Sequence, residues 1–427
     1  MKRVIKEYDV VYDLNNVIPN DDSLAKSAFE AAFDLYLNTG TYCTTSHRRI
    51  LFTEEEIKEA LALLPGEFEV GYGRDKRKMR ARKIEDENPP FCLFGPMGQA
   101  CSEEIYIQLT MGYMKDPLAD GISSPALDRI NKIAIKVRGP SEVMGSVAHT
   151  MLVKEAARRI GRPGIFTISV ATAPTDAAQI AASHPQWGKW VTDGGFVGAL
   201  AELKVDYDLL RKMLHFHHYG QFVSALTGPL LGGYCGGPEG TAIIAIAYHL
   251  QGLLVHQAHF QASFPMHMIQ SCTTTREVLW ATNLASQSIA LNTSIITFAK
   301  GKAAAGPCTE MVLYESAAHG LTAVSGANMY VMGAARNKYK DRFTPVEPRM
   351  ACEVAYAVCK SKMKRSDANE IVKGILKKYE DKIPNAPLGK LVQECYDLKG
   401  IRPSNEYLEI YKKVKKELRD LGIDFIF

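Results

Sequence analysis

The sequence predicts an α/β protein built around a single (β/α)8 barrel. Two observations support this fold: strand and helix patterns alternate through residues 91–363, and seven such steps can be counted. Residues 203–219 have room for one more step. About eight units in about 250 residues are typical of a (β/α)8 barrel, whereas an open doubly wound sheet would usually have fewer.

One step of this alternation, over residues 159–173 (RIGRPGIFTISVATA), shows the pattern most clearly. A helical pattern ends in arginines, whose charge suits a helix C-terminus, and Gly161 and Pro163 prevent it from continuing. The β-branched run that follows predicts a buried strand. Ile168 and Ser169 lie near the carboxyl end of this strand, where such folds bind ligands, so both are candidate substrate-binding residues.

The other six predicted strands are each followed by a helical pattern. They are FCLFGP (91–96), KIAIKV (132–137), PLLGGYCGG (229–237), VHQAHFQAS (255–263), SIITFA (294–299) and NMYVMGAA (328–335). We therefore assign residues 91–363 to the barrel. Residues 1–90 are expected to form N-terminal helices and an exposed arm packed on the barrel, and residues 364–427 a C-terminal helical extension.

Capping signals place two helices in the N-terminal region. Residues 20–23 offer N-cap side chains for an amphipathic helix that ends at Gly40, and Thr53 with Glu56 forms a capping box for the next helix. Residues 71–90 are polar and basic, then acidic, and predict an exposed excursion used in contacts between subunits. Nucleic-acid binding is less favoured there, because no aromatic ladder accompanies the charge.

The composition argues against several functional classes. The 427 residues carry a net charge of +4, which gives no argument for nucleic acid, and no apolar run is long enough to span a membrane. The N-terminus lacks the apolar segment of a signal peptide. Nine cysteines without a CxxC pair indicate reduced thiols, so we expect a cytoplasmic protein.

Two motifs have both a chemical and a structural explanation. Residues 232–240 (GGYCGGPEG) suit either close backbone approach to a ligand or the geometry of a tight turn alone. A phosphate is disfavoured there, because Glu239 lies in the first turn of the next helix and would repel it. Residues 303–315 (AAAGPCTEMVLYE) suit a bulky planar ligand over the barrel mouth or close helix packing, and the sequence does not separate the two.

Histidines cluster in the second half of the chain, at spacings such as HFHH and HxxH that metal ligands use. They are His215, His217, His218, His256, His259 and His267. However, His256 and His259 on a strand would point to opposite faces, and no carboxylate-rich set accompanies them. Hydrogen-bonded structural histidines are therefore favoured over a metal site. A Ser-His-Asp hydrolase has no GxSxG motif to support it.

Nine stretches, spread in one order over nearly the whole chain, carry a family resemblance. They are GTYCTTSHRRILFTEEEI, GYGRD, GRPG, ELKVD, GGYCGG, TTRE, AGPCTEM, RMACEVA and QECYDLKGIRPSNEYLEIY. Together they resemble the monomethylamine:corrinoid methyltransferase family of methylotrophic methanogens. The resemblance implies a (β/α)8 barrel, homo-oligomers, and methyl transfer from methylamine to the Co(I) of a corrinoid. That corrinoid is held by a separate small protein, so this chain itself is expected to bind no cofactor and no metal.

The chain departs from this family at the positions that carry its chemistry. Counted without a gap from GRPG, the family's pyrrolysine position holds Ile168, which identifies a member that lacks pyrrolysine. Two neighbouring carboxylates correspond to Phe196 and Leu226, and a glutamine corresponds to Lys300. Pyrrolysine offers an imine that captures an amine, and the carboxylates manage its protons. An apolar replacement suits a substrate whose methyl group is already activated, such as a quaternary ammonium or a sulfonium.

Lys300 suggests either an anionic group on the substrate, as in a methylated zwitterion, or an internal acid partner. We expect it at the carboxyl end of the barrel strands, facing the cavity, with Glu239 and Glu310 as candidate partners. These three are the candidate catalytic residues. The candidate substrate contacts are Ile168, Ser169, Phe196, Leu226 and Tyr234.

Two other functional classes remain open at this point. A barrel that has lost catalytic groups is also what a non-catalytic protein would show, binding a corrinoid protein or a small ligand without turnover. A metal-dependent hydrolase or lyase on the same fold would instead use the histidine cluster.

Overall fold

The computed structural model describes residues 1–96, 98–168 and 172–427. Three N-terminal helices precede the barrel: α1 (Lys2–Glu7), α2 (Asp22–Thr39) and α3 (Glu54–Ala62). The barrel strands are β1 (Cys92–Phe94), β2 (Gly121–Ile122), β3 (Phe166–Thr167), β4 (Gly194–Gly198), β5 (Phe222–Thr227), β6 (Phe260–Ser263), β7 (Thr297–Lys302) and β8 (Asn328–Gly333). One α-helix of the outer layer follows each strand, so the sequence prediction of a (β/α)8 barrel is confirmed.

These eight helices form the outer layer, and three more complete the chain. The outer helices are α4 (Tyr106–Lys115), α5 (Pro140–Arg159), α6 (Asp176–Ala182), α7 (Tyr207–His218), α8 (Pro238–Leu254), α9 (Arg276–Asn292), α10 (Glu310–Gly320) and α11 (Val346–Lys360). The C-terminal helices are α12 (Arg365–Tyr379), α13 (Val392–Cys395) and α14 (Asn405–Asp420). None of the helices in the described ranges is long and apolar enough to cross a membrane.

The remaining elements are short. Single 3-10 turns cover Gly73–Asp75, Glu103–Ile105, Pro185–Trp187, Leu321–Ser325, Ala335–Asn337 and Glu380–Asn385. Strands outside the barrel are Thr41–Cys43, Arg48–Ile50, Glu67–Val70, Arg77–Arg80, Ala100–Cys101, Ala126–Leu127, Arg129–Ile130, Ile133–Ala134, Lys204–Val205, Leu230–Leu231, Met266–His267, Tyr396–Asp397 and Arg402–Pro403.

The predicted capping signals hold in the N-terminal helices. Asp21 accepts the backbone N–H of Ser23 at 2.8 Å at the start of α2, and Gly40 ends that helix with a positive φ of 60°. At α3, the Thr53 N–H donates to Glu56 at 2.7 Å, and the Glu56 N–H donates back to the Thr53 hydroxyl at 3.2 Å. The predicted capping box is therefore confirmed.

Extra layers cover two sides of the barrel and explain why α8 and α10 are buried on every face. Helix α2 packs over α8 and α9, and their small and apolar side chains form one cluster with the N-terminal residues. Helices α12 and α14 pack on α10, within a second and larger cluster. A helix without a polar face needs such a second layer to stay out of water.

Two of the seven predicted strands are wrong, although the residues next to them belong to the barrel. In KIAIKV, only Ile133–Ala134 is extended, and it pairs with Arg129–Ile130 in a two-stranded antiparallel ribbon outside the barrel. The barrel strand there is β2, whose two residues include a glycine and give almost no β-branched signal. In PLLGGYCGG, Leu230–Leu231 forms a rim ribbon with Met266–His267, and the barrel strand is β5 just before it.

Residues 203–219, which the sequence offers as room for an eighth strand–helix step, consist mainly of helix α7. Its strand is β4, whose sequence GGFVG contains three glycines. Gly195 is required there, because an added Cβ would lie only 2.3 Å from the Phe216 ring of α7. Close packing of the helix on the strand therefore requires glycine in place of the large β-branched residues that normally predict a strand.

Residues 67–80 close the floor of the barrel at the amino ends of the strands. Glu67–Val70 and Arg77–Arg80 form an antiparallel hairpin, and Val70 and Met79 on its inner face are fully buried. The Phe68 ring stacks on Phe222 of β5 with centroids 4.7 Å apart. The segment predicted as an exposed excursion is thus exposed on one face only, and its other face belongs to the core.

The barrel sheet has the order β3-β2-β1-β8-β7-β6-β5-β4, which leaves a seam between β3 and β4. Across this seam the described residues form a single backbone bridge, between Ile168 and Gly194. The Lys189 ammonium donates to the carbonyl oxygens of Thr167 and Gly194, each at 3.0 Å. One lysine side chain therefore joins the two strands where the ladder is incomplete.

Asp193 completes the seam from the other direction. Its carboxylate accepts the Thr167 backbone N–H at 2.9 Å and the Thr167 hydroxyl at 2.8 Å. The Lys154 ammonium of α5, which is 14 % exposed, donates to the same buried carboxylate at 2.7 Å. Burial by itself would raise the pKa of Asp193, but Lys154 and Lys189 outweigh that effect and hold the pKa below its usual value.

Candidate active site

A cavity of about 450 Å³ opens at the carboxyl ends of the barrel strands. Its inner wall is formed by Phe196 of β4, Leu226 of β5, Lys300 of β7 and Tyr330 of β8. The loops that follow β1 to β4 form most of its rim. The position and the size are those of a small-molecule site in this fold.

Aromatic rings form one wall of the cavity. Phe196 and Tyr330 stack with centroids 5.7 Å apart and an angle of 9° between their planes. The Tyr330 hydroxyl shares a 2.5 Å hydrogen bond with Ser123, and burial raises the pKa of Tyr330, so the phenol stays neutral. The stacked rings present a rigid apolar surface with a single polar atom fixed at its edge.

Lys300 is the one lysine of the inner wall and is only 6 % exposed. Its Nζ lies 4.6 Å from the Phe264 ring centroid and 4.8 Å from the Tyr330 ring centroid. No carboxylate among the described residues forms an ion pair with it. Burial, with a smaller repulsion from Lys302, lowers the pKa of Lys300 to about 7.

The rim of the cavity carries charges that are paired or hydrogen-bonded. Asp208 accepts from Arg211 at 2.5 Å and lies 3.7 Å from Arg138. Lys212 donates to the carbonyl oxygen of Pro174 at 2.7 Å, and burial lowers its pKa to about 8. The charged groups at the mouth are therefore compensated, whereas the inner wall is apolar except for Lys300 and the Tyr330 hydroxyl.

Ile168 lies behind the cavity wall, in the seam between β3 and β4. It is 1 % exposed and packs in the apolar cluster that fills the barrel. Within the described residues it does not line the large cavity but a void of about 10 Å³ beside His149 and Lys189. Ser169, the other predicted contact on this strand, lies outside the described residues.

His149 of α5, which sequence analysis did not single out, is fully buried beside Ile168. Its Nε2 is 2.7 Å from the Ser124 hydroxyl and 2.8 Å from the Tyr106 hydroxyl, and its Nδ1 contacts Thr172. Burial lowers the pKa of His149 to about 3, so the ring is neutral. The sequence does not predict that His149 is buried and hydrogen-bonded, because its three partners come from segments far from it along the chain.

The structure does not bring the other candidate residues to the cavity, and the expected ion pair of Lys300 is wrong. Glu239 accepts the backbone N–H of Tyr12 at 3.3 Å, because the first turn of α8 faces the N-terminal segment. Glu310 pairs with Lys413 at 2.5 Å, because the first turn of α10 faces α14. Tyr234 is 83 % exposed on the rim and does not line the cavity.

Both small-residue motifs are explained by packing. In the glycine-rich turn, the Gly232 N–H donates to the carbonyl oxygen of Gly236 at 2.8 Å, and both residues have positive φ. In the loop after β7, a Cβ on Gly306 would lie 1.8 Å from the carbonyl oxygen of Leu388. The C-terminal extension therefore lies directly against this loop, which favours packing over a planar ligand.

Glu315 of α10 is a structural acid that sequence analysis passed over. It is fully buried and accepts from the Thr274 hydroxyl at 2.5 Å and from the N–H groups of Ala304 and Ala305 at 2.7 and 2.9 Å. It thus fixes the loop that follows β7 and Lys300. Helix α10 is buried on every face beneath the second helical layer, so this carboxylate lies in the interior.

The histidine cluster does not form a metal site in the part of the chain that the structure describes, where no group of three or more His, Cys, Asp or Glu side chains is arranged to hold an ion. His259 accepts the Val223 N–H at 3.0 Å, and His256 is fully buried. The nine cysteines are all buried and free.

Comparison with known proteins decides the family. The family model described as "Monomethylamine methyltransferase MtmB" matches residues 1–423. The chain belongs to the monomethylamine methyltransferase family. Curated relatives include MtmB3 of Methanosarcina barkeri (strain Fusaro) and MtmB of Methanosarcina mazei. Each is 33 % identical over 410 residues, which cover 96 % of this chain and 89 % of the relative.

Solved structures of the monomethylamine methyltransferase family agree with the barrel described above. The crystal structure of the Methanosarcina barkeri enzyme superposes with a TM-score of 0.96 at 32 % identity, covering 99 % of this chain and 92 % of the other. A hydroxylamine complex of MtmB matches equally well. The resemblance drawn from the nine motifs and the methyltransferase class are both confirmed, and a metal-dependent hydrolase or lyase is set aside.

Proposed function

We propose that this protein transfers a methyl group from a small methylated compound to the Co(I) of a corrinoid carried by a separate protein. The single observation that carries the proposal is the aromatic, nearly acid-free cavity at the carboxyl face of a monomethylamine methyltransferase barrel. A cavity of about 450 Å³ suits a small substrate but not a corrinoid as well. The corrinoid therefore belongs at the mouth, held by its own protein.

The donor suited to this cavity has a methyl group that needs no covalent capture. Ile168 has a hydrocarbon side chain at the position that the resemblance assigns to pyrrolysine. Phe196 and Leu226 have no acidic or basic group that could donate or accept a proton. Methylamine has a poor leaving group unless its nitrogen is captured or protonated. A quaternary ammonium or a sulfonium already carries the positive charge that makes its methyl group transferable.

The residues of this chain contribute by binding and by excluding water. The corrinoid supplies the nucleophile when its protein is docked. The stacked rings of Phe196 and Tyr330 form a flat surface on which an onium group can rest, since the faces of aromatic rings attract cations. Holding the methyl group at the mouth, away from water, lowers the entropic part of the barrier.

Exposed apolar side chains around the mouth support a docking role for this face. Val137 follows β2, Tyr234 follows β5, and Met268 and Ile269 follow β6; they are 59, 83, 51 and 77 % exposed. The loops after barrel strands share one face, so these residues surround the cavity. Homo-oligomer formation, which the family resemblance implies, and a cytoplasmic location complete the proposal.

The docking role predicts a selective kinetic defect. Tyr234→Ser combined with Ile269→Ser should raise the KM for the corrinoid protein about tenfold or more, because exposed apolar anchors dominate such interfaces. Transfer to free corrinoid should stay unchanged. Leu63→Ser, at the end of α3 and 74 % exposed, is the matched control and should change neither rate. Equal defects with free and protein-bound corrinoid would contradict docking at this face.

The choice of methyl donor tests the function directly. With Co(I) corrinoid and the partner protein, quaternary ammonium or sulfonium compounds should be demethylated, and methylamine should give turnover at least about a hundredfold slower. The spectral change of cobalt on methylation measures both. Rapid methylamine turnover would contradict the argument from Ile168. No transfer from any donor would favour the non-catalytic barrel instead.

A further inference from the structure

In the part of the chain that the structure describes, Lys300 lacks the counter-charge that a buried lysine normally has. Within residues 1–96, 98–168 and 172–427, Lys302, on the same strand, is the only charged group that shifts the pKa of Lys300, and it is a second cation. Tyr330 of β8 is a neutral phenol, and His319, packed behind β7 on α10, is neutral because burial lowers its pKa to about 4. The inner wall of the cavity therefore presents one amine and no acid.

The acids at the mouth do not fill this gap. Asp206 accepts the Leu209 N–H at 2.9 Å as the N-cap of α7, and Asp208 is held by Arg211. Arg138 and Lys212 at the same rim are positive. Among the described residues, the two acids that line the cavity, Asp206 and Asp208, are therefore held at the rim by other partners and do not pair with Lys300. An unpaired buried cation is unfavourable.

We propose that Lys300 anchors an acidic group of the substrate, so that the methyl donor is a small onium compound that also carries a carboxylate. This inference rests on the proposed function for the identity of the substrate. The anchor and the aromatic wall are adjacent, because Lys300 and Tyr330 are paired neighbours in β7 and β8. A zwitterion can place its carboxylate on Nζ and its onium group along the stacked rings of Tyr330 and Phe196.

The same geometry explains why a plain cation is a poor ligand. An onium group without an acid would meet the Lys300 ammonium over the shared Tyr330 ring, 4.8 Å from Nζ, with nothing negative between them. A plain carboxylate, in turn, makes no use of the attraction between a cation and the aromatic wall. The cavity therefore favours a small molecule that carries both charges. Lys300 attracts its carboxylate and repels a ligand that has only a positive charge.

Binding should depend on pH in a defined direction. The pKa of Lys300 is lowered to about 7 by burial, and a bound carboxylate raises it by favouring the charged amine. A zwitterion should therefore bind best below about pH 7 and progressively less well as the pH rises above it. Near pH 8 its binding should take up a proton from the buffer.

The test compares two trimethylammonium ligands that differ in the acid alone: glycine betaine and choline. Calorimetric titration of the full-length wild-type protein at about pH 7 should show at least a ten- to hundredfold preference for glycine betaine, the effect of one charged hydrogen bond. Lys300→Met should remove this preference. Lys302→Met is the matched control, because Lys302 bonds Met266 and Ser271 outside the cavity lining, and it should keep the preference.

The outcomes separate this inference from the proposed function. Equal affinity for the two ligands, absence of glycine betaine binding, or a preference that survives in a folded Lys300→Met variant would overturn the anchor. Selective binding without methyl transfer to Co(I) corrinoid would leave the anchor standing and overturn the proposed function. Methyl transfer from choline but not from glycine betaine would support the proposed function and overturn the anchor.

Discussion

Replacing Asp193 by alanine should lower the free energy of unfolding by about 3–5 kcal/mol, the range for removing one partner of a buried ion pair. Lys154 would lose its counter-charge, and Lys189 would lose the acid that offsets its burial. The Thr167 N–H and hydroxyl would lose their acceptor in the seam. Urea denaturation followed by circular dichroism measures the change.

Three further variants serve as controls for the charge of Asp193. Asp193→Asn keeps an oxygen that can accept from Thr167 but removes the charge. Its free energy of unfolding should therefore lie between those of the wild type and of Asp193→Ala. The double variant Asp193→Ala, Lys154→Met should lose less than the sum of the single changes, because removing both partners leaves no unpaired Lys154. Glu155→Ala removes the surface ion pairs with Arg158 and Arg159 and should change the stability far less than Asp193→Ala does. A similarly small effect of Asp193→Ala would show that the seam does not need it.

The Asp193 contribution should also depend on pH. Its folded pKa lies below the usual value, so the stability it adds is present above the unfolded pKa of about 3.8 and is lost as the pH falls below it. Lys189 acts with the opposite sign, because burial lowers its pKa to about 8. The folded state disfavours its cation, so this penalty disappears as the pH rises through 8 toward the unfolded value of 10.5.

The sequence predicts the parts of the fold in which local pattern and long-range packing agree. The predicted runs VHQAHFQAS, SIITFA and NMYVMGAA overlap the barrel strands β6, β7 and β8, respectively. Strands β2, β4 and β5 are not predicted by the sequence. Strand β2 has only two residues, and β4 contains three glycines, of which Gly195 is required by the close packing of Phe216 from α7. Local propensity cannot reveal a residue whose size is set by a neighbour far away in the chain.

The candidate site follows the same division. Lys300 could be placed because it follows a clear strand, and the carboxyl ends of barrel strands meet at one face. Tyr330 could not, because its role depends on register with Lys300 and on stacking with Phe196. The partners chosen for Lys300 were wrong because helix position alone does not show which outer segment a first turn faces. In this fold Glu239 meets the N-terminal segment and Glu310 meets α14.

Glu315→Ala should destabilise the protein by about 3–5 kcal/mol and loosen the loop that follows β7. The change leaves two buried N–H groups and one hydroxyl without an acceptor, each at about 1–3 kcal/mol when nothing replaces the bond. Burial raises the pKa of Glu315, and its three donors oppose that rise, so the site binds the carboxylate through hydrogen bonds. Urea denaturation gives the loss of stability, and hydrogen exchange at Ala304 and Ala305 reports the loop.

Two carboxylates on the same helix make this a controlled comparison. Glu310 lies five positions earlier on α10 and is paired with Lys413 at the surface, so Glu310→Ala should cost at most about 1 kcal/mol and leave amide exchange in the loop unchanged. Glu315→Gln keeps the volume and one acceptor oxygen and should fall between the two. Equal effects of Glu310→Ala and Glu315→Ala would mean that charge on α10, rather than the three buried hydrogen bonds, stabilises this side of the barrel. The loop beside Lys300 would then hold its shape through the C-terminal extension alone.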